Sequence, residues 1–126
     1  DRTLERVFRS IKLGQEERLL VQRGNKSQVI LLSERVYCEV QGRKIYIHLK
    51  NGEVIDYYDR MENLKRHVDE RFFQCHRSYL VNLDYVRGCK AGQVWLSCGD
   101  KIPVSRLRER ELTQALLMHM KARRGR

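Results

Sequence analysis

The chain has 126 residues, of which 41% are hydrophobic and 33% are charged, and its formal net charge is +10. This composition is typical of one folded domain and excludes a disordered chain. The longest apolar run, residues 28–32, is far below the roughly 20 residues that a membrane-spanning helix needs, and no secretory signal is recognisable.

The first predicted element is a helix over residues 1–14. Its apolar residues Leu4, Val7, Phe8 and Ile11 have the spacing that lines one face of a helix. Because this stripe is narrow, we expect the helix either to dock on the domain that follows or to continue from a preceding one.

Residues 15–104 have the pattern of β-structure. Short runs rich in β-branched and aromatic residues alternate with turn residues, as in antiparallel strands. Asn51-Gly52 is the strongest hairpin signal, because this pair adopts the positive φ angles of tight hairpin turns. A short helix is predicted within residues 60–68, and Pro103 is expected at a strand end or a sheet edge. Further turns are predicted at Gly24-Asn25, Gly42 and Gly99-Asp100.

The last predicted element is a helix that begins at Ser105, whose hydroxyl can accept a hydrogen bond from an unpaired backbone N–H. Its apolar stripe comprises Leu112, Ala115, Leu116 and Met120. We therefore predict a mostly β fold, a sandwich or meander of short strands with a few short helices. Its parts are a connector helix (1–14), a β domain (15–120) and a basic, fraying tail (121–126).

The four cysteines, Cys38, Cys75, Cys89 and Cys98, lack the C-x-x-C spacing of zinc-binding modules. We therefore expect no structural zinc, no other metal and no cofactor. Each cysteine lies in a strand-like stretch, where a reduced thiol in a cytoplasmic protein is the expected state. A disulfide between Cys89 and Cys98 across a hairpin stays open as the alternative.

The adjacent pair Cys75-His76 does not predict an active site. Successive side chains of a strand point to opposite faces, so a nucleophile and its base would not meet there. The glycines are scattered turn residues that form no phosphate-binding loop. We expect neither enzymatic activity nor a small-molecule substrate.

Three basic clusters lie where strands end or a helix begins, at Arg43-Lys44, His76-Arg77 and residues 105–110. In a β domain the strand ends gather on a common rim, so these loops can enter a groove of DNA. Arginine donates to guanine O6 and N7 and to phosphate oxygens, and a helix N-terminus can hold a phosphate. Together with the net charge, the clusters favour nucleic acid as the partner, ahead of an anionic membrane surface.

The stretches RFFQCHRSYLVNLDYV and GDKIPVSRLRERELTQAL resemble the LytTR family of bacterial DNA-binding domains. The resemblance runs from about Leu19 to Leu117, and its most specific part is F-x-x-x-H-R-S-Y-L-V-N at residues 72–82. EVQGRK at residues 39–44 and IPVSR at residues 102–106 lie at the matching distances on either side. Three such pieces in order are far more specific than any one of them.

The resemblance implies a compact, multi-stranded β domain that inserts loop residues into successive major grooves of double-stranded DNA. It also implies the output half of a cytoplasmic two-component response regulator, which a phosphorelay controls and which binds direct repeats upstream of a promoter. A chain that begins at Asp1 fits a phosphorylatable receiver domain before it, with residues 1–14 as the connector. We expect a monomer that pairs on tandem DNA sites and has no membrane partner.

By position, the resemblance assigns DNA contacts to three places. The first is the loop at Arg43, where Lys44 takes the place of a common tyrosine. The second is the histidine–arginine pair, and the third follows Ser105, where Leu107 holds a position that is often basic. The residues expected to contact DNA are Arg43, Lys44, His76, Arg77, Ser105, Arg106 and Arg108.

Two other functions stay open from the sequence, an RNA-binding module and a membrane-surface adaptor. The sequence has no cluster of aromatic residues on which unpaired bases could stack, which argues against an RNA-binding module. The second would use the basic tail at residues 121–126 on anionic lipids.

Overall fold

A computed structural model describes residues 6–13, 16–23 and 25–124, including the side chains of Leu20, Asn25 and residues 27–121. The described residues form eleven strands and two α-helices. In chain order these are β1 (Arg6–Leu13), β2 (Glu16–Arg23), β3 (Lys26–Leu31), β4 (Arg35–Gln41), β5 (Lys44–Leu49), β6 (Val54–Tyr58), α1 (Met61–Lys65), β7 (Phe72–His76), β8 (Tyr79–Asn82), β9 (Val86–Lys90), β10 (Gln93–Leu96), β11 (Lys101–Pro103) and α2 (Glu109–Arg124).

The strands form three antiparallel sheets, which confirms the mostly β prediction. The central sheet has five strands in the order β6-β5-β4-β8-β7. Two smaller sheets have the orders β1-β2-β3 and β11-β10-β9. This arrangement follows from short strands that are joined by tight turns, which favour antiparallel pairing.

The central sheet separates two apolar cores. Along β5, Ile45, Ile47 and Leu49 are buried and alternate with partly exposed residues, as expected for a strand with one face on a core. This face packs against β3 and α1. On the opposite face, Val81 of β8 packs with residues of β10, β11 and α2, including the buried Leu112. Because both faces of the sheet are packed, its turns are the parts that remain most accessible.

The predicted helix over residues 1–14 is wrong for residues 6–13, which form strand β1. This strand pairs with β2 from Arg6↔Gln22 to Leu13↔Glu16. Residues 1–5 and 14 lie outside the described part of the chain. A short apolar run can fit the helix period and the strand period alike, and here the backbone of a neighbouring strand supplies the hydrogen-bond partners.

The predicted hairpins are confirmed. β2 and β3 pair on either side of Gly24-Asn25, of which Gly24 lies outside the described residues. Between β5 and β6, Gly52 has φ +93°, and Asn51 Oδ1 accepts a hydrogen bond of 2.8 Å from the N–H of Glu53. Between β10 and β11, Gly99 has φ +98°. These positive φ angles explain why glycine stands at both turns.

The sheet β11-β10-β9 has a proline at its edge and a tryptophan at its surface. Pro103 ends the edge strand β11, as predicted. Aromatic residues of strands are usually part of a core, but Trp95 is 38% exposed. Its indole lies across Gly88 on the neighbouring strand, and a Cβ added there would come within 2.8 Å of the ring. The glycine therefore provides the space that keeps the indole flat on the outer face of the sheet.

The two predicted helices after β6 are present, with different bounds. The first is limited to Met61–Lys65. In the second, a 3₁₀ turn at Arg106–Arg108 precedes α2, and the helix continues to Arg124. The segment that was expected to fray is therefore helical over residues 121–124. Among the described residues, no helix combines the length and the hydrophobicity that crossing a bilayer requires.

Helix α2 packs on the second core along most of the predicted stripe. Leu112 is buried and Leu116 is partly buried, as expected, whereas Met120 faces solvent. At this end of the helix His119 faces the domain, and its Nε2 lies 2.6 Å from Oδ1 of Asp84. With 3.6 residues per turn, residues 112, 116 and 119 lie on one face of the helix, so Met120 falls beside this face and is exposed to solvent.

Buried Asn82 joins two strands of the central sheet. Its Nδ2 donates to the carbonyl of Arg35 at 2.8 Å, and its Oδ1 accepts from the N–H of Asp84 at 2.9 Å. The side chain is fully buried, so both backbone groups depend on it for a partner. These two hydrogen bonds to backbone give Asn82 a structural role.

We predict that Asn82→Ala lowers the free energy of unfolding by roughly 2–4 kcal/mol, because it leaves buried polar groups without partners. Urea denaturation measures this change. Asn51→Ala is the matched control, since Asn51 makes the same bond to the N–H two residues on, but at an exposed turn. We expect the control to lose about 1 kcal/mol or less. Equal losses in the two variants would contradict a special role for Asn82.

Candidate nucleic-acid interface

The turns after β4 and β7 leave the central sheet at the same end. Both strands lie antiparallel to β8, with Glu39↔Tyr79 on one side and His76↔Tyr79 on the other. The N–H of Val40 also donates to the carbonyl of Ser78 at 2.8 Å. The two turns are two strand spacings apart, about 10 Å. We call this end of the sheet the basic edge, formed by residues 42–43, 77–78 and 105–108.

Arg43 occupies the first turn of the basic edge. The turn has two residues, and Gly42 adopts φ +61°, a conformation that glycine accepts without a steric penalty. The N–H of Asp59 donates to the carbonyl of Arg43 at 3.0 Å and ties the turn to the end of β6. The Arg43 side chain is exposed, so a fixed backbone presents a solvent-facing guanidinium group.

Lys44 lies at the same edge, but its ammonium group interacts with the domain itself. Nζ is 2.8 Å from Oδ2 of Asp56 and 5.3 Å from the ring centroid of Tyr58. The hydrogen bond to Asp56 raises the pKa of Lys44. A DNA phosphate would have to compete with this carboxylate for the ammonium group, which makes Lys44 less available than Arg43.

Tyr58 is a further candidate that the sequence did not reveal. It ends β6, it is 74% exposed, and it lies beside Lys44. A phenolic hydroxyl is a common donor to DNA phosphates. Aromatic residues in strands are usually part of the core, so exposure at the strand end was the missing information.

His76 is the last residue of β7, and Arg77 is the first residue of the second turn. The Nδ1 atom of His76 accepts from the N–H of Ser78 at 3.1 Å, and the imidazole meets the Tyr79 ring edge-on with centroids 5.6 Å apart. A neutral imidazole that accepts at Nδ1 carries its hydrogen on Nε2. The half-buried ring can therefore offer one N–H donor, and the next residue, Arg77, is exposed.

The third segment, residues 105–108, is docked on the end of β7. The N–H of Ser105 donates to the carbonyl of Cys75 at 2.9 Å, and Nη1 of Arg108 donates to the carbonyl of Gln74 at 3.0 Å. Ser105 has the extended backbone of an N-cap residue, but its hydroxyl caps none of the described N–H groups. Arg106 is exposed. Arg108 therefore holds the segment in place, whereas Arg106 projects from it.

A β-bulge in β7 makes this docking possible. The pairing of β7 with β8 shifts between Phe73↔Val81 and His76↔Tyr79, so Gln74 and Cys75 together oppose a single residue. A bulge interrupts the ladder of hydrogen bonds between two strands. It thereby leaves carbonyl groups of β7 that residues 105–108 can bond.

Gln74 links the second turn of the basic edge to α1 through its side chain and to residues 105–108 through its backbone carbonyl. Oε1 accepts from Nζ of Lys65 at 2.8 Å, and Nε2 donates to the carbonyl of Arg77 at 3.4 Å. Its own carbonyl accepts from Arg108, as described above. No sequence signal singled out this residue, because a lone glutamine in a strand is ordinarily a solvated side chain.

The far side of the third segment is fixed by the β9–β10 turn. Ala91 and Gly92 both have positive φ angles, of 53° and 79°. The N–H of Gly92 donates to Oε2 of Glu109, the first residue of α2, and its carbonyl accepts from the N–H of Val104 at 2.9 Å. Residues 105–108 are thus held between β7 and this turn.

The geometry argues against a reactive Cys75-His76 pair. Cys75 is buried, its Sγ donates to the carbonyl of Pro103 at 3.6 Å, and burial raises its pKa to about 12. A thiol with such a pKa is almost entirely protonated at neutral pH and is a poor nucleophile. Among the residues with described side chains, no three potential ligands cluster around a metal position.

The cysteines are free thiols, so the disulfide considered between Cys89 and Cys98 is not formed. Cys38 and Cys75 are buried, Cys89 is partly exposed and Cys98 is exposed at the β10–β11 turn. Cys98 is therefore the most accessible of the four thiols.

Comparisons with known proteins agree with this architecture. The family model of the LytTr DNA-binding domain matches residues 25–117. A solved structure described as the LytTr DNA-binding domain of a methyl-accepting/DNA response regulator from Bacillus cereus is similar in fold, with a TM-score of 0.68. The similarity covers 82% of this chain and 98% of that one, at 16% sequence identity. No curated protein matches the chain.

We predict that a thiol reagent at pH 8 modifies Cys98 rapidly in the folded protein and leaves Cys38 and Cys75 intact until the chain unfolds. The reason is that burial keeps these two thiols protonated and inaccessible. Mass spectrometry after timed labelling measures the modification at each position. Cys98→Ser should remove the fast phase. Rapid modification of Cys75 in the folded chain would contradict the geometry described here.

Proposed function

Because the chain belongs to the LytTR family of DNA-binding domains, we propose that it binds double-stranded DNA sequence-specifically through the basic edge, as part of a bacterial transcriptional regulator. The observation that carries this proposal is the placement of Arg43, Arg77 and Arg106. They are exposed on three separately anchored segments along one end of the sheet. A single duplex can therefore meet all three guanidinium groups at once.

The order of the segments suggests how the duplex lies. Arg43 and Arg106 are the outer pair, because residues 105–108 dock beyond the edge strand β7. We propose that they enter successive major grooves, which recur about every 34 Å on one side of a duplex. Arg77 then faces the minor groove between them, where arginine is attracted by the negative potential. The two turns are only about 10 Å apart, which is much less than the distance between successive major grooves. The DNA must therefore bend towards the basic edge, or the arginine side chains must extend along it.

The remaining residues would have supporting roles. The Nε2 hydrogen of His76 suits an acceptor on a base edge or a phosphate. The Ser105 hydroxyl suits a phosphate oxygen. Lys44 would contact a phosphate after leaving Asp56. Arg108 would act as a positioning residue, because its bond to Gln74 fixes the segment that carries Arg106.

The biological setting is also part of the proposal. The domain would be the output half of a cytoplasmic two-component response regulator, with a receiver domain before it, and would act by binding rather than by catalysis. It would bind direct repeats upstream of a promoter, as a monomer in solution that pairs on tandem sites. Phosphorylation of the receiver would then control how often two copies meet on DNA.

Selection of duplexes from a random library tests the proposal directly. We expect a direct repeat to be enriched, and its binding to weaken with salt at a slope of about −0.9 per neutralised phosphate. Structured RNA and vesicles of anionic lipid serve as competitors in the same assay. If either displaces every duplex, the RNA-binding module or the membrane-surface adaptor replaces the proposed function.

We predict that Arg77→Ala weakens binding to the selected duplex by roughly 1–3 kcal/mol and relaxes the preference for A·T pairs at the minor groove that it faces. Arg43→Ala and Arg106→Ala should act similarly at other positions of the site. Fluorescence anisotropy with labelled duplexes measures the affinities. Lys50→Ala is the control, because it removes one exposed positive charge from the opposite end of the sheet, about 20 Å from Lys44 along β5. An equal loss for Lys50→Ala would point to a general charge effect and away from the basic edge.

A further inference from the structure

Leu107 is exposed to a degree that is unusual for a leucine in a fixed segment. Its side chain is 91% exposed, more than any other large hydrophobic residue with a described side chain. It stands between Arg106 and Arg108 on the third segment of the basic edge. An apolar side chain presented in this way on a basic surface has no role in the two cores of the domain.

The 3₁₀ turn determines where Leu107 can point. With three residues per turn, Arg106, Leu107 and Arg108 project about 120° apart. Arg108 points inwards, since its Nη1 bonds the carbonyl of Gln74. The N–H of Arg108 also donates to the carbonyl of Ser105 at 2.9 Å, which closes the turn. Leu107 must therefore project outwards beside Arg106.

We propose that Leu107 determines sequence preference by packing against the C5-methyl group of a thymine in the major groove that Arg106 enters. Thymine is the base whose major-groove edge carries an apolar group, and contacts between apolar side chains and this methyl discriminate it from the other bases. This inference rests on the proposed function, because Leu107 reaches a base edge only if the basic edge meets DNA.

The neighbouring charges favour this occupant over an apolar protein surface. Arg106 and Arg110 are exposed, and Arg108 is partly exposed, around Leu107. A protein partner would have to bury these guanidinium groups with it, whereas a duplex supplies phosphates and base acceptors for them. Because Arg106 and Leu107 are consecutive, the thymine should lie next to the base pair that Arg106 contacts.

Replacing each thymine of the selected duplex by deoxyuridine tests the inference, because this substitution removes the methyl group and keeps the base pairing. We expect one replacement to weaken binding of the unaltered chain about four-fold, the ratio that burial of one methyl-sized group corresponds to. In Leu107→Ala the same replacement should leave the affinity unchanged. Leu117→Ala, which shortens a leucine that is 55% exposed on α2, should retain the full four-fold effect.

The outcomes separate this inference from the proposed function. In one outcome the unaltered chain binds the selected duplex, and every deoxyuridine replacement changes its affinity by the same factor as that of Leu107→Ala. In that case the inference fails and the proposed function survives. The inference is also overturned if Leu107→Ala weakens binding to the thymine duplex and to the deoxyuridine duplex by the same factor. That result would indicate that the Leu107 side chain inserts between stacked base pairs. If no duplex is enriched at all, both fail. Melting temperatures of the variants should equal that of the unaltered chain, because the side chains that change are exposed.

Discussion

The hydrogen bonds between residues 105–108 and the bulged end of β7 are the contacts on which the basic edge depends. β7 is an edge strand, and an uncovered edge would present unpaired backbone groups to other chains. The bulge at Gln74-Cys75 makes carbonyl groups available, and Ser105 and Arg108 bond them. One set of contacts therefore covers the edge strand and brings the third arginine-bearing segment to the two turns of the central sheet.

The basic residues of the edge fall into two groups with different tasks. Lys44 and Arg108 bond to Asp56 and to the carbonyl of Gln74, so their charges help to fix the local structure. Arg43, Arg77 and Arg106 are exposed on the backbone that these contacts hold. Since ordering a long side chain and a loop at the moment of binding reduces affinity, a backbone that is already fixed favours both affinity and selectivity.

The sequence predicted most of the strands and turns, because tight turns depend on local chemistry such as the positive φ of Gly52 and Gly99. It failed where the outcome depends on a distant partner. Residues 6–13 form a strand and not a helix because β2 pairs with them. The sequence also identified the basic segments. It did not show which basic residues bond within the domain and which ones are exposed. That division depends on Asp56 and Gln74, which are distant in sequence and carry no motif.

The shortness of the turns at residues 42–43 and 77–78 limits how such a domain can evolve. An inserted residue would change the hairpin and the reach of the arginine that it carries, and it would disturb the hydrogen bonds of Arg43 and Ser78 to neighbouring strands. New operator preferences would therefore have to arise by exchanging side chains on an unchanged frame. Domains built on this plan would diverge in the side chains that these turns carry while keeping the backbone of the turns unchanged.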